Sequence, residues 1–249
     1  MSGHSKWAKI KHKKGAEDAR RGNLFTKLAR EIMAAAKEGG GNMDSNYRLR
    51  AAVSRAREYN MPSTNIDNAI KKGTGELPGI VYETVVFDAY GPGGVAILIE
   101  GLTDNKNRTT AEVRNILTKK NGNMAGAGST AWMFSKKGYL TIDKTKAKED
   151  DVMEIVLDAG ADDLKTEGAE FEITCDPTVF EKVRSALEAK KIPMVSAEVT
   201  MLPSSMVKVK GEEVRSLLAL MEALEEQEDV QNVYANFDIS EEDLAKAAG

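Results

Sequence analysis

Charge is distributed unevenly along this chain, and the unevenness constrains how the chain can fold. Residues 1–75 contain 16 Lys and Arg against 7 Asp and Glu, a net charge of +9, whereas residues 76–249 carry a net charge of −13. A basic segment joined to an acidic one in 249 residues indicates separate modules rather than one large hydrophobic core. A basic module within an acidic protein is typical of a chain with a face that meets a polyanion.

Composition and cysteine content indicate a folded cytoplasmic protein. Apolar residues make up 41% of the chain and charged residues 30%, which is too apolar for a disordered tail. Cys175 is the only cysteine, so neither an intramolecular disulfide nor a thiolate metal cluster is possible, and a reducing compartment fits. Apolar runs such as Val95–Ile99 are far shorter than the roughly 20 residues of a membrane helix. We therefore expect no contact with a membrane.

The basic segment has the pattern of a small helical domain behind an extended arm. Residues 1–15 show no period that would bury a face, whereas Leu24, Leu28 and Ile32 recur one turn apart after Gly22, before a glycine stop. A second helix is expected from about residue 46 to residue 60. Pro62 ends it, and Ser63 is the expected N-cap of a third.

From Ile80 onward the apolar period changes to that of strands. Two strands, 81–90 and 95–103, flank a Gly-Pro-Gly-Gly turn, and Thr109 with Glu112 has the spacing of a capping box that opens a helix. A further strand is expected over 130–135. Residues 240–249 are expected to be a frayed end.

Residues 139–202 have the order βαββαβ of a ferredoxin-like domain, and the helix and strand after them have no sheet of their own. These last elements most simply complete the domain that begins at Ile80. We thus predict an α+β protein of three domains. They are a basic helical domain with its arm (1–76), followed by two α/β sandwich domains (77–137 plus 204–240, and the inserted ferredoxin-like 138–203).

The arm is the first candidate for nucleic-acid binding. Ammonium groups on an extended segment suit a phosphate backbone because each neutralised phosphate releases condensed counterions, and Trp7 has the ring to stack on an unpaired base. Alternatively, the arm is a solvated tail whose tryptophan packs onto the helices. The candidate residues of the arm and the first helix are Lys6, Trp7, Lys9, Lys11, Lys13, Lys14, Arg20, Arg21 and Lys27.

Further cations lie in the second helix and beyond the helical domain. Arg48 and Arg55 are expected on one edge of the second helix, with Arg50 and Arg57 on the other. The polar run 104–109 is expected to be a loop that places Lys106 and Arg108 just before a helix N-terminus, where free amides and the helix dipole favour an anion. These residues also suit an ordinary turn.

Signs of catalysis or of a cofactor are weak. The two histidines, His4 and His12, both fall in the arm, where nothing local fixes them against a nucleophile. Acidic runs such as 225–229 at helix ends are most simply solvated faces. The sequence therefore predicts a protein that is not an enzyme, with neither a metal, a cofactor nor a small-molecule substrate, and it leaves the oligomeric state open.

Several stretches of the chain, taken together, resemble the YebC family, whose relatives in pseudomonads are called PmpR. The resemblance runs in the family's order through Gly3-His4-Ser5-Lys6-Trp7, Arg21-Gly22, Asn60-Met61-Pro62, Ala69-Ile70-Lys71-Lys72-Gly73, Tyr90-Gly91-Pro92-Gly93-Gly94, the seven residues from Thr103 to Thr109, and Asp229-Val230-Gln231-Asn232-Val233-Tyr234.

This resemblance implies a three-domain cytosolic protein and two alternative functions. The first is a DNA-binding transcriptional regulator. The second is a ribosome-associated translation factor that binds RNA and relieves stalling at proline-rich stretches. Both need a polyanion as partner and neither needs a catalytic residue. The expected third helix offers no clear base-reading set, so direct readout of a DNA sequence by this helix is not indicated.

Overall fold

A computed structural model of the chain describes residues 17–166 and 168–248. Within this range the residues form two compact units. The first comprises residues 17–130, 209–233 and 239–248, and the second comprises residues 131–208 and 234–238. None of the helices in the described ranges is long and apolar enough to cross a membrane.

The first unit begins with three helices, α1 (Glu17–Gly39), α2 (Tyr47–Glu58) and α3 (Ser63–Thr74). Their apolar faces form one core around Leu28, Ile32 and Leu49. Gly73 permits the close approach of α3 to α1, because a Cβ atom at this position would lie 2.5 Å from the carbonyl oxygen of Met33.

Two expected helix starts are wrong. Helix α1 already includes Glu17 and continues through Gly22, so the first helix begins before that glycine and not after it. Ser63 is the first residue of α3 rather than its N-cap, which is Pro62. Asn46 is the N-cap of α2, and its side chain accepts a hydrogen bond from the amide of Leu49.

A four-stranded sheet follows in the order β3-β1-β2-β9. Its strands are β1 (Glu83–Tyr90), β2 (Ala96–Thr103), β3 (Asn123–Met124) and β9 (Val230–Ala235). Strands β1 and β2 are antiparallel, with Phe87 opposite Ile99, and the predicted Gly-Pro-Gly-Gly turn joins them through one turn of 3₁₀ helix. Helices α4 (Lys106–Lys119) and α7 (Glu212–Glu226) belong to the same unit.

The second unit contains a sheet in the order β5-β6-β4-β7. Its elements are β4 (Phe134–Asp143), α5 (Glu149–Ala159), β5 (Ala161–Lys165), β6 (Glu170–Cys175), α6 (Phe180–Ala189) and β7 (Ser196–Pro203). This is the predicted βαββαβ chain order, and all three strand pairs are antiparallel, as in a ferredoxin-like fold. The core lies between the helices and one face of the sheet, around Leu140, Val156 and Leu187.

Two more local expectations are wrong. The strand predicted over 130–135 and the one predicted from Tyr139 are a single strand, β4, so the expected domain limit at 137/138 falls within a strand. The chain end expected to fray is helix α8 (Glu241–Ala248) within the described residues. Two short strands, β8 (Val207–Lys208) and β10 (Phe237–Asp238), pair in parallel.

The fold class is α+β, as the sequence predicts, with a helical region followed by antiparallel sheets. The division into three domains at the stated residues remains a prediction.

Candidate nucleic-acid interface

A buried carboxylate joins the helical region to the sheet of the first unit. The side chain of Asp229 is 2% exposed and lies between α7 and β9. Its Oδ1 accepts a hydrogen bond from Arg30 Nη1 at 2.8 Å, and its Oδ2 accepts one from Arg108 Nη2 at 2.9 Å. Thr109 Oγ1 donates a third, also to Oδ2, at 2.7 Å. One carboxylate therefore holds an arginine of α1 and an arginine of α4.

Local sequence explains how Asp229 reaches this position. The side-chain oxygen of Gln227 accepts hydrogen bonds from the amides of Asp229 and Val230, at 2.7 and 2.8 Å, which turns the chain out of α7. The carbonyl of Asp229 then accepts a hydrogen bond from the amide of Leu102 at 2.8 Å. A Cβ atom at Gly101 would lie 2.8 Å from that carbonyl oxygen, so this close approach requires glycine.

The electrostatic balance at this site favours the charged carboxylate. Burial is the largest single influence and raises the pKa of Asp229, but the hydrogen bonds from Thr109 and Arg108 and the charges of Arg30 and Arg108 together outweigh it. The pKa of Asp229 therefore lies below the ordinary value. The hydrogen bond to Asp229, followed by the one to Asp104, raises the pKa of Arg108.

One face of α1 is attached to the C-terminal end of α7 at two places. Asn23 Nδ2 donates to the carbonyl of Glu226 at 2.9 Å, and Lys27 Nζ donates to the carbonyl of Glu225 at 2.6 Å. Arg30 is buried and also lies over the ring of Tyr82, 5.3 Å from its centroid. The helical region and the first sheet are thus connected by specific polar contacts.

The structure gives the predicted binding residues different environments. Lys6, Trp7, Lys9, Lys11, Lys13 and Lys14 lie outside the described residues, and Arg20 is in α1 with a side chain that is not among those described. Lys27 is half-buried and bound to a carbonyl. Arg21 is exposed, with its guanidinium 5.4 Å from the ring centroid of Phe25.

The prediction that residues 104–109 form a loop before a helix is wrong. Helix α4 begins at Lys106, and Asn105 is its N-cap, with Oδ1 accepting from the amide of Arg108 at 3.1 Å. The expected capping box is wrong for the same reason, because Thr109 lies inside the helix. Lys106 is exposed, whereas the Arg108 side chain is 43% exposed and ion-paired with Asp104 and Asp229.

The arginines of α2 differ in their partners, which are glutamates for two of them and a backbone carbonyl for a third. Arg48 is ion-paired with Glu38, and Arg55 lies 3.6 Å from Glu31. Arg50 donates to the carbonyl of Met43 at 2.9 Å. Five cations of the helical region are exposed and have neither an ion-pair partner nor a hydrogen bond to a carbonyl among the described residues. They are Arg21, Lys37, Arg57, Lys71 and Lys72.

Sequence patterns missed the site around Asp229. The prediction that the acidic run 225–229 is solvated is wrong for Asp229, which is 1% exposed. Local periodicity carries no signal for its burial. The only available indication is that Asp229 and residues 103–109 both belong to the stretches that resemble a known family.

The fold and this site define a class of protein in which a basic helical region is attached to a β-sheet and an acidic helix of the same unit. The chain belongs to the TACO1/YebC family. The family's N-terminal domain model matches residues 5–76, and the model of its second and third domains matches residues 82–237.

Related proteins match this chain over almost its whole length. A "probable transcriptional regulatory protein" of Natranaerobius thermophilus is 55% identical over 97% of this chain and 98% of its own. One of Geobacter sulfurreducens with the same description is 54% identical over 99% of both chains. The crystal structure of a conserved hypothetical protein from Aquifex aeolicus is similar with a TM-score of 0.80 and 43% identity, covering 94% of this chain and 97% of that one.

Proposed function

We propose that this protein is a cytoplasmic regulator that binds DNA through its basic helical region and arm and has no catalytic activity. The observation that carries the proposal is the set of exposed cations on α1, α2 and α3 without ion-pair partners among the described residues. The arm adds five lysines and no acidic residue over residues 1–16. Such a surface favours phosphate contacts, which dominate the affinity of proteins for nucleic acids.

The single cysteine is unsuited to nucleophilic catalysis. Cys175 is fully buried, and burial raises its thiol pKa, so the thiolate that a nucleophilic mechanism needs is disfavoured. The names of the relatives given above agree with a regulatory role.

A salt titration tests the DNA-binding proposal. The full-length protein is titrated onto a fluorescently labelled 30-base-pair DNA duplex at several salt concentrations. The variant Lys9→Ala/Lys11→Ala/Lys13→Ala should lower the slope of log affinity against log salt by about 2–3, because each phosphate contact contributes about 0.9. The matched control Lys148→Ala/Lys190→Ala/Lys210→Ala removes three lysines from the acidic part and should leave the slope unchanged. A wild-type protein that does not bind at low salt would refute the proposal.

One observation favours the alternative of a ribosome-associated factor. Helix α5 contains five acidic residues and no basic one, and α7 contains five acidic residues and one arginine. Binding to DNA gives these acidic helices no role, whereas on a ribosome they would face basic ribosomal proteins of opposite charge. Crosslinking in cells separates the two functions. Recovery of ribosomal RNA without promoter DNA would replace the regulator with the translation factor.

A further inference from the structure

Helix α4 is basic, although the part of the chain that contains it is acidic. Residues 106–120 contain five Lys and Arg against the single Glu112, whereas residues 76–249 as a whole carry −13. The acidic helices α5 and α7 have net charges of −5 and −4. Solubility alone does not require one helix of opposite sign, so the charge of α4 needs a separate explanation.

The exposed face of α4 is a narrow polar stripe. Thr109, Val113 and Leu117 are buried. On the other side, five exposed residues recur at helical spacing along the whole length. They are Asn107, Ala111, Arg114, Asn115 and Thr118. Apart from Arg114, the stripe consists of small or amide side chains.

Cations flank this stripe at both ends of the helix. Lys106 is the first residue of α4, and Lys119 and Lys120 end it. All three are exposed, and none has an ion-pair partner within residues 17–166 and 168–248. Glu112, the one acidic residue, accepts a hydrogen bond from Gln227 at 2.8 Å.

The dimensions of α4 match those of the major groove of B-form DNA. A helix of 14 residues is about 21 Å long, at about 1.5 Å per residue, and the major groove is about 12 Å wide and admits an α-helix. A helix of this length that crosses the groove extends beyond both of its walls, where the phosphates lie. Asparagine is the side chain that pairs with adenine through two hydrogen bonds in this groove, and alanine contacts the thymine methyl group.

We propose that α4 docks in the major groove of duplex DNA, with Asn107, Ala111 and Asn115 facing the bases and the end lysines contacting phosphates. This inference rests on the proposed function and names the element that reaches the bases. Duplex RNA does not offer the same site, because its major groove is too deep and narrow for side chains to read.

The carboxylate of Asp229 places α4 next to the helical region. Because Arg30 of α1 and Arg108 of α4 bind the same carboxylate, the start of α4 lies beside the middle of α1. Helix α1 begins at Glu17, about 20 Å further along its axis at about 1.5 Å per residue. The N-terminal end of α1 and the start of α4 therefore lie close enough to contact one duplex.

Two variants of the full-length protein test this proposal against DNA and RNA duplexes of the same sequence. The variant Lys106→Gln/Lys119→Gln/Lys120→Gln should lower the salt slope on DNA by about 2–3 at about 0.9 per phosphate contact. The control Lys148→Gln/Lys190→Gln/Lys210→Gln removes the same charge elsewhere and should match the wild type. Ala111→Glu should weaken DNA binding at least tenfold without lowering the thermal midpoint, because residue 111 is exposed.

The outcomes separate this inference from the proposed function. If wild type fails to bind either duplex, the proposed function fails and the inference fails with it. If the triple-lysine variant of the arm weakens binding but the α4 variants match the control, the inference alone is overturned. An equal loss on duplex RNA would also overturn it, because the effect would then be general electrostatics. Loss confined to DNA is the expected result.

Discussion

Replacement of Asp229 by asparagine should destabilise the first unit, because it removes the carboxylate that binds two arginines. Of these two, only Arg108 is exposed enough to be hydrated instead. The Arg30 side chain is 10% exposed and the Asp229 side chain 2%, so the pair is buried. Arg108 is 43% exposed and keeps Asp104 as a partner. The cost should therefore arise mainly from the guanidinium of Arg30, which would remain buried with only the exposed carboxylate of Glu228, 3.4 Å from Nη2, as a counter-charge.

The magnitude follows from the environment of the pair. Removal of one partner of a buried ion pair costs about 3–5 kcal/mol, because it leaves a buried charge without compensation. Asparagine has a similar shape and keeps one side-chain oxygen as an acceptor. We therefore expect the free energy of unfolding to fall by about 3 kcal/mol, at the lower end of that range.

Urea unfolding followed by far-UV circular dichroism measures this change. The matched control is Asp104→Asn, which removes the other carboxylate that binds Arg108 but lies at the surface. Surface ion pairs contribute about 0–1 kcal/mol, so the control should lose less than about 1 kcal/mol. Equal losses in the two variants would refute the assignment of the cost to burial.

The stability difference between wild type and Asp229→Asn should depend on pH. The pKa of Asp229 is lowered in the folded state, so its contribution to stability is fully present above the ordinary carboxyl pKa of about 3.9. This contribution is lost as the pH falls through the folded-state pKa. The stability difference between wild type and Asp229→Asn should therefore be the same at pH 7 and pH 5 and shrink below about pH 4. A difference that grows in acid would contradict the lowered pKa.

Two further predictions concern other buried polar groups. Asn46→Ala should lower the free energy of unfolding in urea by about 2–3 kcal/mol, because the α2 cap and the hydrogen bonds to the carbonyls of Ala35 and Gly40 are lost together. The control Asn42→Ala changes an exposed side chain and should lower it by less than about 1 kcal/mol. The thiol of Cys175 should react with a disulfide reagent at pH 8 only after unfolding, because it is buried with a raised pKa. Rapid reaction of the native protein would contradict this burial.

Local patterns predicted much of the fold. Breakers such as Pro62 and the glycines after α1 limit the three helices, and the change of apolar period near Ile80 marks the first sheet. The order of elements between Phe134 and Pro203 was sufficient to indicate a ferredoxin-like unit. These features depend on neighbours within a few residues, which a sequence shows directly.

The site around Asp229 could not be predicted in this way. Arg30 lies 199 residues away in sequence and Arg108 lies 121 residues away. No periodicity links such distant positions, and an acidic run after a helix has the same local pattern whether it is solvated or buried. The capping-box error has the same origin, because the hydroxyl of Thr109 donates to the distant Asp229.

Net charge also overstates what α1 and α4 offer to a polyanion. A phosphate that approaches Arg108 must compete with a buried carboxylate already held by three side chains, and Arg30 is almost inaccessible. These two arginines therefore determine how α1 and α4 are placed and contribute little to binding phosphate. Affinity for nucleic acid should depend on the exposed lysines such as Lys72 and Lys119, whereas the geometry of the bound duplex should depend on Asp229.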